Sequence, residues 1–122
     1  MTKSGDLFEM LPDKTGAELF ETLLLQDGIK IERIISYGHA TPSGDWYDQY
    51  WHEWVLLVAG EALIRLEHEL KPRHLRTGQW LMLPAHCRHR VEWTLPEHDT
   101  IWLALHWPEQ QQDVEYDVRT GS

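Results

Sequence analysis

The sequence predicts an all-β domain, built as an antiparallel sandwich or barrel. Eight or nine short segments rich in β-branched and aromatic residues follow one another at regular spacing, with turn residues between them and hardly any helical periodicity. The chain has 122 residues, which suits one domain rather than two. Its seven tryptophans supply large packing area, so a small barrel with a rigid interior or an aromatic-lined cavity is expected.

The first two strands are expected to form a hairpin. The apolar runs Leu19 to Leu25 and Ile29 to Tyr37 flank Gln26-Asp27-Gly28, and Asp-Gly between two such runs is a strong hairpin signal. In the second run isoleucines alternate with charged residues at period two, which indicates a strand.

The remaining strands are separated by turn residues. Glycine-containing turns at Gly60-Glu61 and Gly78 and the sequence Leu95-Pro96-Glu97 divide the apolar runs. Pro72 at the start of one run predicts a short edge strand, since proline is tolerated there. The predicted segments are 46–59, 62–67, 72–76, 79–83, 89–94 and 100–107.

The ends of the chain differ in composition from the barrel segment. Residues 1–17 are polar and predict a loose N-terminal arm, in which Thr15 and Glu18 have the spacing of a capping box for one short helical turn. The acidic and polar residues 108–122 predict a C-terminal tail. The predicted barrel therefore spans residues 18–107.

The charge balance argues against several classes of partner. Twenty acidic residues against eleven basic ones give a formal net charge of -9, which repels phosphate backbones, so a nucleic-acid binder is not expected. No apolar run approaches the roughly 20 residues that span a bilayer, and no signal peptide is visible, so we expect no membrane partner. A single cysteine, Cys87, rules out an internal disulfide and favours a reducing compartment. The expected location is the cytoplasm.

Two segments carry the spacing of known sequence motifs. Glu53 is followed by six residues and then Gly60; Gly78 is followed by five residues and then Pro84, and His89 lies five further on. On these residues the chain resembles a small single-domain cupin, whose motifs read G-x5-H-x-H-x3,4-E-x6-G and G-x5-P-x-G-x2-H-x3-N. The resemblance covers roughly Ile31 to Trp107. It implies a double-stranded β-helix, or jelly-roll barrel, often with a divalent metal inside, and it implies a homodimer.

The first motif lacks both of its histidines. At strict spacing they become Tyr47 and Gln49, and with the longer spacer they become Trp46 and Asp48. Of this motif only the acid, Glu53, and the closing glycine remain.

The second motif keeps its histidine and loses two other residues. His86 stands at the central glycine position and Trp93 at the final asparagine position. Glu53 and His89 are thus what remains of the three-histidine, one-carboxylate set, and two ligands hold zinc or iron poorly unless other groups join them.

Other side chains nearby can complete such a site. The expected metal ligands are Glu53 and His89, with Gln49 or Asp48 supplying an oxygen and His86 a nitrogen; the ion can be Zn, Fe, Mn or Ni. Because side chains alternate along a strand, Val55 and Leu57 share the face of Glu53, while Trp54 lies outside. The expected ligand pocket contains Tyr47, Gln49 and Trp93.

Three further residues have either an unfixed orientation or a purely structural interpretation. His106 can face the interior, but its parity is not fixed by the sequence. His86 can equally be a loop residue at the rim. Cys87 lies between basic neighbours that can lower a thiol pKa, yet a buried thiol acting as a small apolar group is the better interpretation.

Three hypotheses of function follow. The first is a cupin that binds a divalent ion and a small organic ligand, with dioxygenase-like or isomerase-like chemistry conceivable from the resemblance. The second is a metal-free binding module in which Glu53, His89 and Tyr47 orient the ligand or assist proton transfer. The third is a structural dimer that pairs through the face carrying Trp54. A fold alone does not select among them.

Overall fold

The computed structural model describes residues 2–11 and 16–109, and in these residues it contains eight strands and no helix. The predicted all-β class is therefore confirmed. The strands are β1 (Leu19–Gln26), β2 (Ile29–Tyr37), β3 (Trp51–Ala59), β4 (Glu61–Leu66), β5 (Arg73–Arg76), β6 (Trp80–Leu83), β7 (His89–Thr94) and β8 (Asp99–Pro108).

The strands form two antiparallel sheets that face each other. The larger sheet has the order β1-β2-β8-β3-β6 and the smaller one the order β5-β4-β7. Alternate side chains of both sheets point between them, as expected for a sandwich. The buried apolar cluster so formed contains Val55, Leu57, Ala62, Ile64, Leu66, Leu75, Leu83, Trp102 and Ala104.

The predicted hairpin is present, with Asp27 and Gly28 as its turn. Both residues have positive φ, 53° and 80°, as a type I′ turn requires at its two central positions. The register then pairs Gln26 with Ile29 and continues to Leu19 opposite Ile35, with one irregularity between Thr22 and Leu24.

Gly60, the glycine that closes the first motif, lies where β3 passes into β4. Its φ is +93°, and a Cβ atom there would lie 2.7 Å from the Thr100 Cα atom. Both the backbone conformation and the close approach of β8 therefore require glycine. This turn sends the chain from one sheet to the other.

Two predictions about strands were wrong. The strand expected from residue 46 begins at Trp51, because Tyr47 forms an isolated bridge with His89 instead of continuing β3. The second prediction was that His89, Val91 and Trp93 share one face of β7. In the structure Val91 is opposite Ile64 and Trp93 is opposite Leu63, so one residue of β7 between them has no partner on β4. This bulge turns Trp93 away from the face that carries His89 and Val91.

The described part of the N-terminal arm is held against β2, although a loose arm was expected. The Arg33 guanidinium is 4% exposed, donates hydrogen bonds from Nη1 to the carbonyl oxygens of Leu7 and Glu9 at 3.0 and 2.8 Å, and pairs with Glu21 at 2.7 Å. The capping residue Thr15 and the tail beyond Glu109 lie outside the described residues. Within those residues no helix is long and apolar enough to cross a membrane.

Candidate functional site

A cavity of about 90 Å³ lies between the two sheets. Both sheets and the segment before β3 contribute to its walls, which are formed by seven apolar and seven polar residues and expose more apolar than polar surface. Its lining consists of Glu18, Phe20, Glu32, Ile34, Tyr47, Gln49, Glu53, Val55, Ile64, Leu83, His89, Val91, Trp102 and His106. A concave, mainly apolar site with a few converging polar groups is typical of small-molecule binding.

Glu53 and His106 form the polar pair in the large sheet. They are directly opposite each other on β3 and β8, and they are 7% and 9% exposed. The His106 Nε2 atom lies 3.4 Å from Glu53 Oε2, yet it has no hydrogen-bond partner. Alternation places both side chains inward, since Val55 and Leu57 on β3 and Trp102 and Ala104 on β8 are buried on the same face.

His89 approaches the cavity from the small sheet. Its Nδ1 atom lies 3.0 Å from the carbonyl oxygen of Cys87. Because a carbonyl only accepts hydrogen bonds, Nδ1 carries the proton, and in the neutral ring Nε2 holds the lone pair. The ring is 7% exposed and stacks on Tyr47, with ring centroids 5.4 Å apart. Glu53 and His89, which the sequence paired, thus line one cavity from opposite sheets.

Two further carboxylates line the same cavity. The Ser36 hydroxyl donates a hydrogen bond to Glu18 Oε2 at 2.5 Å. The Lys30 ammonium lies 3.3 Å from Glu32 Oε2. The cavity therefore holds three acidic side chains, counting Glu53.

Tyr47 responds to this concentration of negative charge. Burial raises the pKa of its phenol, and the charges of Glu18 and Glu53 raise it further, while a hydrogen bond with the Thr41 side chain opposes the change. Tyr47 is therefore a neutral hydroxyl near pH 7 that can donate or accept a hydrogen bond.

Asp48 and His86 lie at the rim, outside the cavity lining. The His86 Nδ1 atom lies 3.1 Å from Asp48 Oδ1, and both side chains are about half exposed, 51% and 50%. Tyr47 and Gln49 point inward and Asp48, between them, does not. The expectation that Asp48 or His86 joins Glu53 and His89 is thus wrong, because the two rim residues pair with each other.

Of the three residues expected in the ligand pocket, the structure brings two to the lining of one cavity. Tyr47 and Gln49 line the cavity, and Trp93 does not, because the bulge in β7 places it opposite Leu63 on the other face. Of the expected metal ligands, Glu53, His89 and Gln49 are brought to the cavity.

The donor groups do not assemble into a metal site as expected. In residues 2–11 and 16–109 no group of three or more His, Cys, Asp or Glu side chains is placed to hold a metal ion. Glu53 is closest to His106 instead, and a carboxylate with one imidazole is fewer than the three protein ligands of a catalytic zinc site. The residues present do not fit the expected four-ligand ion.

Sequence reasoning missed Glu18 and Glu32 and left His106 open. Glu18 was considered only as a capping residue and Glu32 as a charge opposite the isoleucines. The signal for Glu32 was its parity, because Glu32 and Ile34 occupy one face of β2 and both line the cavity. For His106 the signal was its register opposite Glu53, which only the paired strands reveal.

Cys87 lies in the loop between β6 and β7. Burial raises the pKa of its thiol, the Glu69 charge raises it further, and the Arg73 charge opposes both. This agrees with an apolar thiol and not with an activated nucleophile.

Comparison with known proteins gives a relative of high sequence identity. No family model matches the sequence, and no curated protein matches it. The crystal structure of a protein from Ralstonia eutropha JMP134, named a "putative mannose-6-phosphate isomerase", matches with a TM-score of 0.86 and 49% sequence identity. The match covers 88% of this chain and 100% of that one.

More distant solved structures share the fold. A cupin superfamily protein from Desulfitobacterium hafniense DCB-2 matches with a TM-score of 0.66 and 18% identity, over 81% of this chain and 84% of that one. An RmlC-like cupin from Desulfovibrio desulfuricans matches with a TM-score of 0.70 and 18% identity, over 88% and 98%. The double-stranded β-helix expected from the motifs is therefore the observed fold.

Proposed function

Since this chain belongs to the cupin superfamily, we propose that its barrel binds a small organic molecule in the cavity and moves a proton on that molecule. Glu53 and His106 are the groups that would transfer the proton, and His89 and Tyr47 would orient the ligand from the opposite wall. The reaction class that this favours is isomerisation by proton transfer.

One observation carries this proposal. Glu53 and His106 are buried side by side, 3.4 Å apart, on the floor of a cavity whose walls are otherwise mainly apolar. A buried carboxylate costs stability unless it is paired and hydrogen-bonded. His106 Nε2 has no hydrogen-bond partner, so the pair is not fully satisfied by the protein. Buried titratable groups whose hydrogen bonding is incomplete are typical of sites that act on a ligand.

The chemistry needs one base and one acid close to the same atoms. To isomerise a hydroxy-carbonyl or amino-carbonyl compound, a base removes the proton from one carbon and an acid returns a proton to the neighbouring carbon or oxygen. A carboxylate such as Glu53 takes the proton and, once protonated, can return it to the neighbouring atom, while the adjacent imidazole accepts and relays a proton through Nε2. The name of the Ralstonia eutropha relative, a putative isomerase, supports this reaction class.

Deuterium exchange tests the proposal across a set of candidate substrates. Small hydroxy-carbonyl and amino-carbonyl compounds are incubated with the protein in D₂O, and proton NMR follows the loss of the signal at the carbon beside the carbonyl. We expect exchange of at least one compound, slowed by about 100-fold in Glu53→Gln. The control is Glu92→Gln, the same change at an exposed position of β7. No exchange, or exchange that survives in folded Glu53→Gln, contradicts the proposal.

A divalent ion held by only two protein ligands, and not by the expected four, is the second candidate occupant of the cavity. The observation that favours it is the unpartnered His106 Nε2 atom beside Glu53 Oε2, two donors on one floor. Elemental analysis of protein purified without chelators or a histidine tag tests it. A metal content near one equivalent that is lost in Glu53→Gln supports the ion; less than about a tenth of an equivalent contradicts it.

We also propose that two copies of this chain pair through the outer face of the large sheet. Trp54 of β3 lies against Trp80 of β6 there, with ring centroids 5.8 Å apart, and Trp80 and Met82 are 56% and 40% exposed. Exposed apolar patches of this kind mark protein interfaces. Two copies that each carry a net charge of -9 repel each other, so an apolar surface is where they can make contact.

Sedimentation equilibrium tests the dimer. We expect a dimeric mass for the natural sequence and a monomeric mass for Trp80→Glu, with Glu92→Gln as the control. A monomeric natural protein contradicts the pairing. A dimer that shows no thermal shift with any small molecule and no exchange would favour a purely structural role.

A further inference from the structure

The cavity that would hold the ligand is negatively charged. Its lining includes three carboxylates, from Glu18, Glu32 and Glu53, and among the described residues that line it there is no lysine or arginine. The whole chain, these three residues included, has a formal net charge of -9. This field lowers the local concentration of anions and raises that of cations.

The three carboxylates are not equally compensated by the protein. Glu32 has the Lys30 ammonium 3.3 Å away, and Glu18 accepts a hydrogen bond from the neutral Ser36 hydroxyl. Glu53 is 7% exposed and has neither a lysine nor an arginine among its described partners. Its described ion-pair partner is His106 Nε2, at a geometry that makes no hydrogen bond. A dehydrated carboxylate in this situation favours a cation as its partner.

The unpartnered nitrogen beside Glu53 indicates where that cation would bind. His106 is 9% exposed and faces the cavity, and its Nε2 lies 3.4 Å from Glu53 Oε2. When the imidazole carries its proton on Nδ1, Nε2 is an acceptor. An ammonium group has three donors and can therefore bond both Glu53 Oε2 and His106 Nε2 at once.

The size of the cavity limits the ligand further. Its volume is about 90 Å³, smaller than the roughly 150 Å³ of an engineered cavity that binds benzene. The cavity therefore suits a group smaller than benzene, and a larger ligand would extend out of its mouth. A hexose phosphate is several times larger, and its phosphate dianion would meet three carboxylates.

From charge, the unpartnered imidazole and size together, we infer that the cavity binds a small organic ammonium compound, with its cationic group between Glu53 and His106. The apolar walls contributed by Ile34, Val55 and Trp102 would contact its carbon atoms. This inference rests on the proposed function and specifies its ligand. It separates this chain from the phosphorylated sugar in the name of its Ralstonia eutropha relative.

A series of matched compounds tests the charge of the ligand. Ethanolamine, ethylene glycol and glycolate have nearly the same size and differ in being cationic, neutral and anionic; mannose 6-phosphate is the fourth compound. Protein NMR at constant salt follows the indole N–H of Trp102 and the side-chain amide of Gln49, both in the cavity wall. We expect ethanolamine to bind at least about tenfold more tightly than ethylene glycol, and no saturable shift with glycolate or mannose 6-phosphate.

Two variants locate the preference. Glu53→Gln should reduce the affinity for ethanolamine by at least about tenfold and abolish its advantage over ethylene glycol. Glu92→Gln removes the same charge at an exposed site and should leave both affinities unchanged. An ethanolamine preference that survives in Glu53→Gln overturns the inference, because it would reflect the acidic surface and not the cavity.

The remaining outcomes distinguish this inference from the proposed function. If ethylene glycol, glycolate or mannose 6-phosphate binds as tightly as ethanolamine and needs Glu53, the cavity is a ligand site and the cationic ligand is wrong. If none of the compounds shifts the cavity signals, the cationic ligand is also wrong, and the deuterium exchange experiment decides the proposed function by itself.

Discussion

Each face of the large sheet departs at a few positions from the usual distribution of polar and apolar side chains. The inner face buries Glu32, Glu53 and His106, while the outer face leaves Trp80 and Met82 partly in water. In an ordinary barrel the inner face is apolar and the outer face polar. Both departures cost stability or solubility, the first by dehydrating charges and the second by exposing apolar area.

Each departure is confined to one region of the sheet, and its location indicates its function. On the inner face the charged groups end where Val55 and Leu57 meet the small sheet, and the buried polar residues beyond them, Thr94 and Thr100, are uncharged. The fold is thus stabilised by a mainly apolar core at one end of the barrel and carries its charged groups at the other. We interpret the polar end as the ligand site and the exposed apolar face as the contact with a second copy.

Two neighbouring leucines on β3 give the largest expected difference between the faces. Leu57 points inward and is 0% exposed, whereas Leu56 points outward and is only partly buried. Leu57→Ala leaves a cavity in the core and should lower the free energy of unfolding by about 3–4 kcal/mol. Leu56→Ala should lower it by about 1 kcal/mol in the monomer. Urea unfolding of both variants at low protein concentration measures the two losses.

Two outcomes of the unfolding measurements would decide between these roles of the outer face. If the two alanine variants lose equal stability, the outer face is as important to the monomer as the core, and our interpretation of that face as the contact with a second copy is wrong. A loss in Leu56→Ala that grows with protein concentration would instead support the interface, because dimerisation adds to apparent stability.

Removing the polar pair should have the opposite sign. In Glu53→Leu combined with His106→Leu, two dehydrated polar groups are replaced by apolar ones, and we expect a gain of about 1–2 kcal/mol in the free energy of unfolding. Binding of any cavity ligand should be lost at the same time. A loss of several kcal/mol would instead mean that the pair stabilises the fold, as a buried remnant of the barrel. Thermal unfolding with and without ligand measures both effects.

The strand pattern was predictable because alternation and turns are local properties. The hairpin at Asp27-Gly28 and the inward face of Glu53, Val55 and Leu57 depend only on neighbouring residues and on period two. The motif spacing around Glu53 and His89 added the family, and with it the double-stranded β-helix. These features are independent of which strand lies beside which.

The rest of the site depends on pairing between distant strands. In β8 both faces are apolar, with Trp102 and Ala104 on one and Leu103 and Leu105 on the other, so alternation could not fix the direction of His106. The bulge in β7 that turned Trp93 outward has no local signal either, because it arises from the register against β4. Asp48 and His86 were placed wrongly for a related reason, since their pairing joins two loops.

Tyr47, in the lining of the cavity, offers a smaller test through pH. Burial and the charge of Glu18 raise the pKa of its phenol, so the neutral form contributes stability below the ordinary tyrosine value of about 10. That contribution is lost as the pH rises through the folded-state pKa. Between pH 9 and 11 the natural protein should therefore lose more stability than Tyr47→Phe, as measured by urea unfolding. Tyr50→Phe, at a 76% exposed position, is the control and should follow the natural protein.

Cys87, in the loop after β6, gives the smallest expected effect. It lies outside the cavity lining, so its reactivity can be compared with that of the cavity residues. Because burial, followed by the Glu69 charge, raises its thiol pKa, less thiolate is present near pH 8 than in a free cysteine. The thiolate is the reactive form, so iodoacetamide should alkylate Cys87 more slowly than it alkylates N-acetylcysteine. Glu69→Gln removes one of the two causes and should accelerate the reaction less than about threefold, since the carboxylate is partly exposed and its charge is screened. Faster alkylation than the free thiol would mean that the neighbouring arginines activate Cys87, and this loop would then be a second reactive region beside the Glu53 floor.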